Sequence, residues 1–263
     1  MFESAQTSYA GRSARVTVAG VLVDNLTEDE TLAAIDKMLV EGDSHYMFVV
    51  NASKIAAASR DPALLGALRS AELVTADGMS VVWASRLLGR PLAARVTGID
   101  LMERLVAHAA ERGVSVYFLG ATQESIRKAV EQLVSRSPGL RVAGYRNGYF
   151  SPSESAAVAE EIKRSGANLL FVGMGSPAQE LWIASNLDRT GARFALGVGG
   201  SFDHISGAAR RAATWMQRAG LEWLYRLARE PRRLWRRYLF GNTLFMWLIA
   251  RQLLFDRGHR SDS

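Results

Sequence analysis

Five short segments place carboxylates, amides and clustered glycines where chemistry could be done. Thr75-Ala76-Asp77-Gly78 puts a lone carboxylate beside a glycine. Such a group can take the proton from a hydroxyl as its oxygen attacks an electrophilic carbon. A helix-capping aspartate is the plainer alternative on spacing alone. Arg95-Val96-Thr97-Gly98-Ile99-Asp100 sets an arginine ahead of a helix start, where it could neutralise a leaving diphosphate or simply face solvent. Gly120-Ala121-Thr122-Gln123-Glu124 joins a strand to a helix, as a phosphate-approaching turn or as a plain turn capped by Thr122. Gly173-Met174-Gly175-Ser176-Pro177-Ala178-Gln179-Glu180 is denser: two glycines allow close backbone approach, and Gln179 and Glu180 project near the helix start. Gly197-Val198-Gly199-Gly200-Ser201-Phe202-Asp203 offers a second glycine-rich cradle, with Asp203 able to accept from a sugar or ribose hydroxyl or to cap a helix.

These segments need a scaffold, and the periodicity supplies one. Apolar runs at Val16 to Val23, Tyr46 to Val50, Leu73 to Thr75, Val114 to Leu119, Leu140 to Tyr145, Asn168 to Val172 and Arg193 to Val198 read as strands, the first a hairpin through Gly20. Helical patterns separate them, one opened by a Thr27/Glu30 capping box. Strands that are apolar throughout and alternate with helices predict an α/β fold: a mainly parallel, Rossmann-like sheet with helices on both faces. Ligands of such sheets bind beyond the carboxyl ends of the strands. Here those ends carry Asn51, Asp77-Gly78, Gly120 to Thr122, Gly173 to Ser176, and Gly199 to Asp203, all lining one expected crevice.

Residues 1–205 thus read as the catalytic α/β domain, and residues 206–263 as a helical appendage of different character. From Ser206 onward there are twelve arginines, no lysine and four acids; the rest holds 20 basic and 22 acidic residues. The net charge of +6 therefore comes from the C-terminal segment. Trp215, Trp223, Trp235 and Trp247 interleave with Arg232-Arg233 and Arg236-Arg237, the composition of helices lying on anionic lipid. A helical cap packed on the body is the alternative. Leu244 to Phe255 is interrupted by Arg251-Gln252 and too short to span a bilayer. Met1 to Arg15 shows no signal-peptide pattern. The segment matches no nucleic-acid-binding module, so no nucleic-acid partner is expected. There is no cysteine, which excludes disulfides, thiolate metal sites and a cysteine nucleophile. No D-x-D or H-E-x-x-H is present and the four histidines are scattered, so no metal is expected; arginines and helix N-termini would have to offset leaving-group charge.

Taken together, the segments resemble the WecG/TagA/CpsF family, glycosyltransferase family 26, over roughly Val16 to Leu239. The resemblance is carried by ADGMSVVWASRLLGRPLAARVTGIDLM (Ala76 to Met102), FVGMGSPAQE (Phe171 to Glu180), GVGGSFDHISG (Gly197 to Gly207) and GLEWLYRLAREPRRLWRRYL (Gly220 to Leu239). It implies an inverting transferase, hexosyl or N-acetylhexosaminyl, acting without a metal or other cofactor. The implied donor is a UDP-sugar and the implied acceptor a polyprenyl-diphosphate-linked saccharide. The implied place is the inner face of the cytoplasmic membrane, peripherally bound, in cell-surface polysaccharide synthesis. It implies Asp77 as general base, Arg95 and Gln179 in the substrate pocket, and appendage arginines completing the site, with Arg211, Arg218 and Arg226 as candidates. Two departures stand out. A Thr-x-Asn segment of the family reads Val49-Val50-Asn51 here, and a proline after the arginine near Arg211 is replaced by Ala213. The missing threonine leaves the donor sugar open. Self-association into a homo-oligomer also stays open.

Two rival readings remain. A nicotinamide oxidoreductase is disfavoured because no G-x-G-x-x-G follows an early strand. A membrane-docked scaffold or regulator without catalysis is kept alive by Val49.

Overall fold

The computed structural model describes residues 14–261. The segment before them, including most of the stretch read for a signal peptide, lies outside the described residues. Strands β1 (Arg15–Val18) and β2 (Val21–Asp24) form the expected antiparallel hairpin, turning through Gly20 at φ 84°. The other six are β3 (His45–Val50), β4 (Leu73–Ala76), β5 (Ser115–Gly120), β6 (Arg141–Arg146), β7 (Leu169–Gly173) and β8 (Phe194–Gly197). They make one parallel sheet in the order β4-β3-β8-β7-β5-β6. In its middle, β3 and β8 are neighbours in space although far apart in sequence. Crevices for ligands open beyond the carboxyl ends of strands at such breaks in order.

Alternation of side chains along each strand divides the core in two. On β7, Leu170 and Val172 enter one cluster, while Leu169 and Phe171 enter the other. The second face is covered by α1 (Glu28–Val40), α5 (Gly98–Arg112), α6 (Gln123–Arg136) and the short α9 (Ser201–Ile205). The first is covered by α2 (Ala52–Ala58), α3 (Pro62–Ser70), α4 (Met79–Leu87), α7 (Ser155–Ser165) and α8 (Ala178–Thr190). Burial on both faces is why these strands read as unbroken apolar runs. The hairpin shields the outer edge of β4: Asp24 Oδ2 accepts from Val74 N at 2.8 Å, and Asp24 Oδ1 from Arg15 Nε at 2.9 Å.

The capping box forms as expected, with Thr27 accepting from Glu30 N and Glu30 accepting from Thr27 N. Two details differ from the periodicity. The helix expected from Ser153 begins with a separate 3-10 turn, Pro152–Glu154, because Glu154 bonds back to Ser151 N at 2.8 Å. Helix α9 follows β8 at once with Gly200 as its N-cap, so Asp203 lies inside the helix and does not cap one.

The C-terminal segment forms α10 (Thr214–Arg218), α11 (Glu222–Arg229) and α12 (Pro231–Ser261). Gly220 at φ 68° makes the first break, and an added Cβ there would stand 2.6 Å from the Trp83 ring. Helix α12 lies along α2. A Cβ on Gly241 would be 3.2 Å from Ser53 Oγ, and Phe245, Leu248 and Ile249 are buried. Gln252 ties it to the hairpin turn, accepting from Ala19 N at 2.8 Å and donating to Thr17 O at 3.0 Å. Among the described residues no helix is long and apolar enough to cross a membrane.

The strand ends crowd at β5 and β7. Gly120 adopts φ 148°, and an added Cβ would sit 2.3 Å from the Gly173 carbonyl oxygen. Gly120→Ala is expected to cost about 3 kcal/mol or more in chemical denaturation. Gly66→Ala, in α3 with open space around it, should stay within about 1 kcal/mol of the native chain on the stabilising side. Equal stabilities for the two variants would disprove the crowding.

Candidate active site

Beyond the carboxyl strand ends lies a cavity of about 390 Å³. It brings together most of the residues singled out from sequence: Asn51, Asp77, Gly173, Gly175, Ser176, Gln179, Gly199, Gly200, Ser201, Asp203 and Arg226. Gly120 stands behind its wall, and its neighbour Ala121 forms the lining.

Asp77 is held by the ends of β3 and β4. Its N–H donates to Val50 O at 2.9 Å, and Val96 N donates to Ala76 O at 2.8 Å, drawing the start of α5 alongside. The cap of α4 is Gly78, so Asp77 is free of the capping role that spacing had allowed. Its carboxyl instead accepts the N–H of Gly98, in the first turn of α5. Burial pushes this carboxyl above the usual aspartate range and the nearby Glu222 adds to the effect, while Arg95, Lys54 and the Gly98 N–H pull it back. A basic carboxylate in a cavity suits proton abstraction.

Beneath the cavity runs a buried polar chain. Lys54 Nζ donates to Glu180 Oε1 at 2.6 Å and to Val49 O at 2.7 Å. Gln179 Nε2 donates to the same Glu180 oxygen at 2.8 Å, and Gln179 Oε1 accepts from Gly199 N at 2.9 Å. Gln179 and Glu180 are almost fully buried, so Glu180 supports the cavity from below while Gln179 also reaches its wall. Asn51 Oδ1 caps α2 by accepting from Lys54 N at 3.0 Å. The Ser201 hydroxyl turns inward to Val198 O at 2.6 Å.

The cations differ in how they are balanced. Arg95 Nη1 is 3.4 Å from Glu222 Oε2 and reaches the cavity through that residue. Arg211 lies off the cavity lining and grips Asp100 with two bonds, at 2.5 and 2.9 Å. Burial would raise the Asp100 carboxyl, but the Arg211 and Thr97 bonds hold it below the ordinary range. Arg226 lines the cavity with no ion-pair partner among the described residues, its guanidinium next to Gly200. Among the described residues it is the one arginine of the lining, and it is placed to meet an anion. The side chains of Arg218, Arg233, Arg236 and Arg237 lie outside the described residues. No cluster of three or more His, Asp or Glu that could hold a metal occurs among the described residues. Burial and the Arg226 charge lower His204 below the usual histidine range.

Sequence reasoning missed Lys54, Tyr149 and Glu222, all of which line the cavity. Lys54 carried a signal: a lysine three residues after a strand-end Asn, in a helix otherwise of small and apolar residues. Tyr149 follows an edge strand and carried none.

A parallel sheet with a basic carboxylate, a free arginine and two glycine-rich turns beyond its carboxyl ends has the make-up of a group-transfer site. The comparisons agree. The profile of the Glycosyl transferase WecG/TagA/CpsF family matches residues 16–259, and the chain belongs to that family and is a glycosyltransferase. Similar relatives are named N-acetylglucosaminyldiphosphoundecaprenol N-acetyl-beta-D-mannosaminyltransferase. One, from Bacillus spizizenii strain W23, is 37% identical over 69% of this chain and 70% of its own length. Another, from Staphylococcus aureus strain MW2, is 33% identical over 91% and 93%. A third, from Bacillus subtilis strain 168, is 35% identical over 72% and 73%. Among solved structures, a chain from Burkholderia cenocepacia J2315 overlaps 78% of this chain and 90% of its own at 16% identity, with a TM-score of 0.26 that carries no weight.

The buried pair beneath the cavity is open to test. Lys54→Met strands the Glu180 carboxylate and is expected to cost about 3–5 kcal/mol in chemical denaturation. Lys54→Met with Glu180→Gln should recover part of that loss. A double variant no more stable than Lys54→Met would sink the pairing as a source of stability.

Proposed function

We propose that the chain transfers a hexose or N-acetylhexosamine from a UDP-sugar to a polyprenyl-diphosphate-linked saccharide, with inversion at the anomeric carbon. The observation that carries this reading is Asp77, a carboxylate made basic by burial and set in the cavity at the first turn of α5. In the transfer, the acceptor hydroxyl attacks the anomeric carbon and gives its proton to Asp77. The bond from that carbon to the diphosphate breaks, and its electron pair leaves with UDP. The turns at Gly173 to Ser176 and Gly199 to Ser201 hold the nucleotide diphosphate, with Asn51 and Asp203 placed for hydroxyl contacts. Arg226 and Arg95 offset the charge that grows on the leaving group; Arg218 is a further candidate, while Arg211 acts through Asp100. No metal is required. The acceptor class is supported by the names of the relatives, whose acceptor is a GlcNAc-diphosphoundecaprenol.

The chain works at the inner face of the cytoplasmic membrane without spanning it. Helix α12 turns Leu239, Met246, Trp247 and Leu254 outward, opposite its buried face, and Arg251 lies 5.1 Å over the Trp247 ring. Helix α11 turns Arg226 to the cavity while Trp223 and Leu224 are exposed. Apolar and aromatic side chains edged by arginine suit an anionic lipid surface.

Asp77→Ala should lower UDP release from a UDP-sugar panel and a lipid-diphosphate acceptor by about 10²–10⁴-fold while UDP binding persists. Near-normal turnover would remove Asp77 from the role of base. In vesicle sedimentation at low salt, Trp247→Glu with Leu254→Glu should weaken binding to anionic liposomes roughly tenfold or more. Unchanged binding would refute the lipid role of α12.

A further inference from the structure

Glu222 is an acid within a segment of twelve arginines, at the first residue of α11. It lines the same cavity as Asp77, with its side chain 26% exposed. Arg226 stands one helical turn on, the spacing at which a glutamate ordinarily pairs with a following cation. That pair is not made. Glu222 reaches across instead to Arg95, in the segment leading into α5, at 3.4 Å. The contact joins the C-terminal segment to the body at the site of the base.

We propose that Glu222 is a positioning residue for the transfer, a second carboxylate brought by the C-terminal segment that holds Arg95 at the cavity and acts through Asp77. The proposal rests on the reading of Asp77 as base. Around Asp77 stand Glu222 from α11, Arg95 and the Gly98 N–H from the start of α5, and Lys54 from α2; Arg211, from the segment before α10, also feels its charge. Glu222 in turn faces Arg95, Asp77, His204 of α9 and Arg211. Among these groups Glu222 is the like charge that strengthens Asp77 as a base. A C-terminal segment lifted off the body takes Glu222 with it, weakening the base and freeing Arg95 together. Full basicity of Asp77 then exists only with the segment docked.

The test uses the full chain, with the Asp77 carboxyl followed by ¹³C NMR through a pH titration and assigned by Asp77→Asn. Glu222→Gln removes the like charge, so the Asp77 midpoint should fall by roughly one pH unit. The acid limb of kcat/KM should move to lower pH by the same amount, since protonated Asp77 is inactive. Glu222→Asp, which keeps the charge, should restore both toward native. The NMR titration needs no turnover, so it stands even where Glu222→Gln is too slow to assay. An Asp77 midpoint unmoved in Glu222→Gln overturns the proposal and leaves Asp77 as base. A midpoint that moves while the acid limb stays fixed overturns Asp77 as base, and with it the part given to Glu222.

Discussion

The buried ion pair between Lys54 and Glu180 ties together loops that would otherwise be independent. Its lysine stands on the helix after β3 and its carboxylate on the helix after β7, and through Gln179 it fixes the backbone of the turn after β8. Three strand ends are thereby set to one geometry by a single charged cluster with little access to water. Such a cluster is a poor source of net stability compared with packed hydrocarbon. Its value lies in direction: the hydrogen bonds define where each turn sits, which apolar packing alone would leave loose. Asp77 is held differently, by strand-end backbone bonds and the first turn of α5, so the carboxylate and the glycine-rich turns rest on separate supports.

Much of this was legible in the sequence because the determinants are local. Strands covered on both faces leave unbroken apolar runs, and the turn chemistry of Gly173 to Ser176 and Gly197 to Asp203 follows from glycine placement. The crevice residues were therefore found as a set. What escaped was long-range. Glu222 meets Arg95 across 127 positions, and Arg211 meets Asp100 across 111. No periodicity marks such partners, and one of four acids in a basic stretch reads only as charge. Its place at a helix start beside a glycine-rich turn makes Glu180 a candidate for substrate contact; it is buried instead because Lys54, distant in sequence, neutralises it there.

The C-terminal segment unites two readings that the sequence set against each other, a cap packed on the body and a surface for lipid. Helix α12 packs one face against α2 and turns apolar side chains outward on the opposite face, so the cap is observed and the lipid surface is compatible with it. The Arg251-Gln252 interruption in its apolar run marks this division. Gln252 bonds the hairpin turn, while Arg251 stacks on an outward tryptophan. Helix α11 divides similarly between cavity and surface.

Helix α12 also has a place in time. It supplies Phe245 and Ile249 to the cluster that includes Ile55 of α2 and the hairpin valines. During synthesis, the hairpin, α2 and the sheet all emerge before it, so part of that cluster lacks its cover until α12 follows. The helix that covers this part of the core is also the one that turns Leu239, Met246, Trp247 and Leu254 outward. Core closure and the arrival of the outward apolar face proposed for lipid thus fall together, so that a half-made chain would carry no such face on an unfinished body.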